Sequence, residues 1–508
     1  MGLLFENGDI EIMEPVLDEK CEYRLETEVY LPDYLPDIQK LLRCEIIPRV
    51  GARNMLAGRI NIEGEAEIRI FYKSAADERI SCVSVLKEFS HTVAVSEPDE
   101  QYDITTRTAS SVNSVRASGP RKISVKGEIS TYISAVKMLT LQVAEKVSSG
   151  IEARREKIEA LASVSVKERE LRITEELELP ETAPSVSALL YTDVKVAEAS
   201  VSVNKGQCVL KGELVVTPVY SAEGSIVPEK QEFRFPLTQI AELPDADDNS
   251  MIDGEFEIVS VYAEPEADAD GNSRIIDCEV VLNGLVRCFK SDEYTVITDV
   301  FSPSNELSVE YASAKYLTCR DILRDSKSLR GQLECENSIG SVLDIAASTK
   351  ILRVSSDNGC VKAEGIVSAE LIYATGEGTV SSVKGEIPFD FALPYSCNCD
   401  IRCEAEAAAS SLSYNISGEN TIDVRCEAAV KISICAEREL RAVSDIAVIG
   451  EKADCHPHPI TLYFAEKGEC VWDIAKRYGG SVADILTENS IEGEYISAST
   501  MLMIPQKQ

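Results

Sequence analysis

Apolar and polar side chains alternate along most of the chain. Ile60, Ile62, Ala66, Ile68, Ile70 and Tyr72 hold the even positions around Gly64, while Asn61, Glu63, Glu65, Glu67 and Arg69 hold the odd ones. A period of two is that of a strand with one buried face and one wet face. The same alternation returns at Cys208, Leu210, Gly212, Leu214, Val216 and Tyr220, and again at Val361, Ala363, Gly365, Ala369, Leu371 and Tyr373. In each copy a glycine precedes a tyrosine by eight residues, which sets both on one sheet face, and the three glycines are 148 and 153 residues apart.

Other markers keep step with these. Leu31-Pro32 and Pro36-Asp37-Ile38 match Leu179-Pro180 and Pro184-Ser185-Val186, with each second proline 28 residues before its glycine, where the third copy has Asn337. Phe89, Phe235 and Phe389 follow the tyrosines, and Ile123-Ser124-Val125, Ile276-Asp277-Cys278 and Ile422-Asp423-Val424 open a further alternating strand in each copy. Units this long exceed solenoid repeats, and each can own a core. Short alternating strands with Gly, Asp, Asn and Ser turns predict antiparallel sandwich-like domains. The chain therefore reads as mainly β, three tandem antiparallel β-sandwich-like repeats at 1–160, 161–320 and 321–442. Residues 152–169 fit either a helix or a polar connecting strand. The repeat glycines and tyrosines (Gly64, Tyr72, Gly212, Tyr220, Gly365 and Tyr373) mark structure, a bulge or close packing under an aromatic, and not a site.

The alternation stops after Ile449-Gly450, and residues 443–459, with Cys455-His456-Pro457-His458-Pro459, read as a stiff linker. Beyond it Tyr463-Phe464-Ala465 predicts a short strand, and Val471, Ile474, Ala475 and Tyr478 recur at helical spacing. Gly479-Gly480 ends that helix, Ser481 with Asp484 predicts a capping box for a second one, and Met501 to Ile504 predicts a closing strand before Pro505. Residues 460–508 are thus a small α+β module of βααβ order.

Charge narrows the function. With 86 acidic against 51 basic residues the net charge is −35, which disfavours binding nucleic acid through phosphates or resting on an anionic membrane. The start of the chain lacks the pattern of a signal peptide, and no 18-residue apolar run follows, so a cytosolic protein without a transmembrane segment is expected. The 16 cysteines are scattered, and without a secretion signal they read as reduced thiols. Cys397, Cys399 and Cys403 lack a fourth ligand at zinc spacing, Cys455, His456 and His458 sit among prolines, and Glu266 to Asp277 has calcium-loop spacing at a hairpin. No metal or cofactor is expected from any of these. Nucleophile-elbow, phosphate-loop and zincin signatures are missing, so an enzyme is not expected.

The module resembles a LysM domain through Tyr463, Gly468, Val471, Trp472, Ile474, Ala475, Tyr478, Asn489, Ile496, Leu502, Ile504 and Pro505. That family usually binds N-acetylglucosamine glycans between its two connecting loops. Here the loop positions read Glu469-Cys470 and Ala498-Ser499-Thr500, which departs from the usual acidic-threonine and Pro-Gly-Gln pattern. Tandem β repeats entered by Leu-Pro-x3-Pro and followed by one LysM resemble clostridial spore-coat morphogenetic proteins of the SipL type, which carry SPOCS repeats. The resemblance implies a non-enzymatic adaptor in the mother-cell cytoplasm that tethers the coat to the forespore surface. Its implied partners are other coat proteins and, through the LysM, the coat-basement ATPase (stage IV sporulation protein A). A peptidoglycan or cortex glycan binder is the alternative. Under the adaptor reading Trp472, one residue past the core position Val471, is a partner anchor of the kind enriched in hot spots. Ile460 is a second contact, and Cys470 and Val471 flank the former sugar loop. The competing role for Trp472 is to cover the module's own edge.

Overall fold

The computed structural model describes residues 4–505 apart from 77–78, 96–101, 205, 223–224, 226, 245, 247–249, 268–272, 358, 396–400 and 453–459. Its first strands are β1 (Phe5–Tyr30), β2 (Ile38–Leu56), β3 (Arg59–Ser74), β4 (Ile80–Ala94), β5 (Tyr102–Gly119) and β6 (Lys122–Val147). Next come β7 (Glu152–Glu178), β8 (Val186–Asn204), β9 (Gln207–Ala222), the short β10 (Glu229–Lys230), β11 (Phe233–Glu242), β12 (Met251–Ala267) and β13 (Ser273–Phe301). They are followed by β14 (Asn305–Glu334), β15 (Ile339–Asp357), β16 (Cys360–Thr375), β17 (Val380–Pro394), β18 (Ile401–Ile416) and β19 (Thr421–Glu451). One sheet of each set is β1-β6-β5, β7-β13-β12 or β14-β19-β18; the other is β2-β3-β4, β8-β9-β11 or β15-β16-β17. All these pairings are antiparallel.

The two sheets of a set close on a core built from the alternating positions. In the first, Leu25, Val29, Ile123, Val125 and Ile129 face Ala66, Ile68, Ile70 and Tyr72. The marker residues have defined work there. Tyr72 donates its hydroxyl to the Pro36 carbonyl at 3.1 Å, Tyr220 donates to the Pro184 carbonyl at 3.3 Å, and Tyr373 bonds the Asn337 backbone at the matching place. The proline turn is clasped from across the sandwich: Arg121 donates to the Pro32 and Leu35 carbonyls at 2.7 and 3.0 Å, and Arg274 donates to those of Pro180 and Ala183. In the third set the turn between Cys335 and Ile339 is three residues shorter, with Asn420 at the position of the arginine. It lost its prolines and its clasp together.

Gly64 and Gly365 lie under aromatic rings. A Cβ on Gly64 would stand 2.4 Å from the Arg49 carbonyl and 2.7 Å from the Phe89 ring, and one on Gly365 would be 2.4 Å from the Phe389 ring. The expected equivalence of Phe235 does not hold. Leu237, not Phe235, pairs with Gly212, and the ring over that glycine is Phe256 from the facing sheet.

The first and last strands of each set run far past their sandwich, and these extensions are what the periodicity could not locate. Three two-stranded ribbons (β1/β6, β7/β13 and β14/β19) meet side by side. Ile10, Ile12 and Val143 of the first share one core with Ala160 and Val296 of the second and Tyr316, Leu440 and Ala442 of the third. Met13, Leu161, Phe289 and Leu317 form one adjoining layer, and Ala144, Ile297, Val300, Val443 and Ile446 form another. This corrects the expected domain limits. Positions 160/161, 320/321 and 442/443 each fall inside a continuous strand, and Glu152–Glu178 is strand throughout, not helix. Alternation continues unbroken from sandwich to ribbon because both bury one face, so the sequence carries no break there.

A second junction lies among β2-β3-β4, β8-β9-β11 and β15-β16-β17. Phe71, Ile80 and Cys82 pack with Leu343, Ile372 and Val380, with Leu190 and Tyr191 against them. Asp344 accepts from Arg43 at 2.5 Å and from Tyr191 at 3.0 Å, so it joins all three sets. Arg43 also stacks over Phe71 at 4.1 Å, and Arg69 donates to the Thr192 carbonyl at 2.9 Å. A third junction is ionic: Arg53 to Glu257, Arg287 to Asp103 and Glu255, Lys431 to Asp253 and Glu255, and Arg107 to Glu404. Among the described residues no helix is long and apolar enough to cross a membrane.

Candidate functional site

The last elements are β20 (Ile460–Ala465), α1 (Val471–Tyr478), α2 (Val482–Glu488) and β21 (Thr500–Pro505), with β20 and β21 antiparallel. Ala465, Val471, Ile474, Ala475, Ile485, Ile496, Leu502 and Ile504 make the core. Asn489 ties the end of α2 to β21: its side-chain amide donates to the Ile485 and Met503 carbonyls, and its oxygen accepts from the Met503 amide at 2.7 Å. The Tyr463 and Tyr478 rings meet in a tilted contact at 5.1 Å, Gly479 takes the left-handed conformation after α1, and Gly468 has φ 95° in the first loop. Ser481 does precede α2, but its side chain makes no capping bond, so the expected capping box is not formed.

The two connecting loops are zipped together. Gly468 and Val471 donate to the Ile496 and Glu494 carbonyls, and the Ile496 amide donates to Glu469. The Glu469 carboxylate is occupied by the Glu466 amide and the Tyr463 hydroxyl, both at 2.8 Å, and these bonds hold it below the ordinary glutamate range. Arg154 of β7 reaches Glu494 at 4.0 Å and bonds Tyr495.

The sequence-predicted anchor sits elsewhere than expected. Trp472 is only 7% exposed, its ring meets Phe301 edge-on at 5.0 Å, and its Nε1 donates to Asp299 at 2.9 Å. Lys476, one turn along, donates to both Asp299 oxygens at 2.8 and 2.7 Å, and Tyr311 donates to the same carboxylate at 3.2 Å. A bulge between Ile297 and Asp299 accompanies this position. Trp472 is therefore a latch between the module and the β body, and its surface is spent inside the chain. Cys470 and Val471 are buried beside it; Ile460 alone of the four expected contacts is exposed. Asp299 and Phe301 gave no signal in the sequence, since they lie at the end of β13, with Asp299 173 residues before Trp472.

What the module does present is the outer face of its small sheet, where Ile460, Leu462, Phe464, Met501 and Met503 are exposed. This stripe was readable as alternation in Ile460-x-Leu462-x-Phe464 and Met501-x-Met503. Among the described residues no group of three or more His, Cys, Asp or Glu is placed to hold a metal, and Cys82, Cys208, Cys278, Cys335, Cys426 and Cys470 are buried thiols. Cys397, Cys399, Cys455, His456, His458 and residues 268–272 of the calcium-like segment lie outside the described residues.

Comparison with known families bears on the β body. Residues 37–118 and 338–417 match the family model described as "SipL, SPOCS domain". These segments run from β2 to β5 and from the residue before β15 to the end of β18, so they cover corresponding strands of the first and third sets. No curated protein and no solved structure matches the chain significantly. The chain thus carries two segments, residues 37–118 and 338–417, that are similar to the SPOCS domain of SipL.

Proposed function

We propose that the chain is a non-enzymatic adaptor of endospore coat assembly, working in the mother-cell cytoplasm at the forespore surface. Its β body joins other coat proteins, and its C-terminal LysM-like module binds the coat-basement ATPase, stage IV sporulation protein A. The SPOCS match at equivalent strands of two β sets carries this reading, since it supports a role in the spore coat. A tether conveys position only if its parts hold their geometry. The ribbon core and the Asp344 junction support such a rigid arm. The zipped loops, with Glu469 engaged internally and Arg154 against Glu494 and Tyr495, favour a protein over a sugar chain as the module's ligand.

The test uses the full chain against two targets, the purified ATPase on a biosensor surface and insoluble peptidoglycan in a pelleting assay. The proposal expects saturable binding to the ATPase and none to peptidoglycan. Pelleting with peptidoglycan and indifference to the ATPase would replace the adaptor with a cortex glycan binder.

A further inference from the structure

We infer that the outer face of β20–β21 is a docking surface for an amphipathic helix of a partner protein, apolar on one side and basic at its margins. The inference rests on the adaptor reading and assigns a surface to it. In a two-stranded sheet one set of side chains packs on the helices and the alternate set points away. Here Tyr463, Ala465, Leu502 and Ile504 point inward, while Leu462 pairs across the strands with Met503 and Phe464 with Met501. These four and Ile460 are 41 to 65% exposed. Together they form a patch on the order of 400 Å², the size of the largest apolar patch on a typical monomer, which is often functional. The latch contacts the body through α1, on the far side of the module, so docking on the body leaves this face in solvent.

Charge selects the occupant. Residues 460–505 carry seven carboxylates against three basic side chains, and one of the three, Lys476, is committed to Asp299. The chain as a whole stands at −35. A second copy or an anionic lipid surface carries the same sign as this module and is repelled by it; a basic-margined segment is attracted. Flexible methionines beside Phe464 suit a helix whose apolar side chains must be accommodated on a nearly flat sheet.

The experiment compares the full chain with a Leu462→Ser/Phe464→Ser/Met503→Ser variant, which keeps the charge unchanged. Emission of Trp472, the single tryptophan, verifies that the variant module is folded and latched. The probes are a synthetic leucine–lysine amphipathic helix, its leucine–glutamate counterpart and the coat ATPase. The variant is expected to bind the leucine–lysine helix at least tenfold more weakly than the parent, with neither binding the acidic helix. Equal binding of the basic helix by parent and variant overturns the inference. So does a parent dimer that the variant abolishes, or parent-only binding to phosphatidylglycerol vesicles. If the parent binds the ATPase, a tenfold loss in the variant supports the surface and an unchanged affinity overturns it. If the parent ignores the ATPase, the adaptor reading fails while the helix comparison still decides the surface.

Discussion

Replacing Asp299 by alanine removes the acceptor on which the latch converges. Trp472 Nε1 then remains as a buried donor without a partner, which costs about 1–3 kcal/mol. Lys476 is 44% exposed, so its ion pair adds only about 0–1 kcal/mol. The Phe301–Trp472 ring contact survives the substitution. Docking of the module should therefore weaken by about 2–3 kcal/mol, roughly 30- to 150-fold in the docking equilibrium. Because Trp472 is the only tryptophan, its fluorescence reads the contact directly. The parent should emit to the blue and resist acrylamide; Asp299→Ala should shift to the red and quench more readily, and Lys476→Ala should change little. The pH dependence is also fixed in sign. Burial pushes the Asp299 carboxyl up, but the bonds from Lys476 and Trp472 outweigh it and leave the group below its ordinary 3.8. A depressed carboxyl stabilises the docked state above its undocked value and loses that effect as pH falls through the docked one. Emission should thus be constant from about pH 8 to about pH 5 and redden only below about pH 4. Identical quenching of parent and Asp299→Ala would refute the latch.

The β body offers three further tests by denaturant titration. Gly365→Ala should cost about 2–3 kcal/mol, because its Cβ would meet the Lys350 carbonyl at 2.5 Å as well as Phe389, whereas Gly212→Ala, with only side-chain carbons from 3.1 Å, should cost under about 1 kcal/mol. Asp344→Ala leaves Arg43, 2% exposed, with Glu45 as its remaining ion-pair partner; it should cost about 3 kcal/mol and lower the stability of all three sets together. Tyr72→Phe removes the bond to the Pro36 carbonyl and should cost about 1 kcal/mol, with a loss confined to the first sandwich in hydrogen exchange.

The sandwich strands were legible because one face of each is buried: Ile60 to Ile68 alternates in sequence as it does in burial, whereas Arg69 and Phe71 on the other face are buried as well, against the neighbouring sets. The Leu-Pro-x3-Pro marker was visible, but its meaning was not, since Arg121 and Tyr72, the residues that use its carbonyls, lie far along the chain. Ribbon extensions such as Phe5–Pro15 keep the strand period, so nothing in the pattern separates intramolecular pairing from packing against another set. The βααβ order of the last elements followed from helical spacing at Val471, Ile474 and Ala475. Trp472 was misplaced for a physical reason. A tryptophan beside a core position must cover something, and sequence cannot distinguish a partner from the end of β13. Polar latch partners obey no periodicity, so Asp299 left no trace.

The rigid arm is the claim on which the tether rests, and backbone hydrogen exchange tests it most directly. Amides along Ile10–Met13 and Leu139–Val143 lie in the first ribbon, outside its sandwich, and are buried only if the three ribbons pack together. Exchange there should be as slow as at Ile68 and Ile129 in the sandwich core, with loss of protection in one step on denaturation. Rapid exchange along the ribbon beside protected sandwiches would show a string of independent domains and contradict the account.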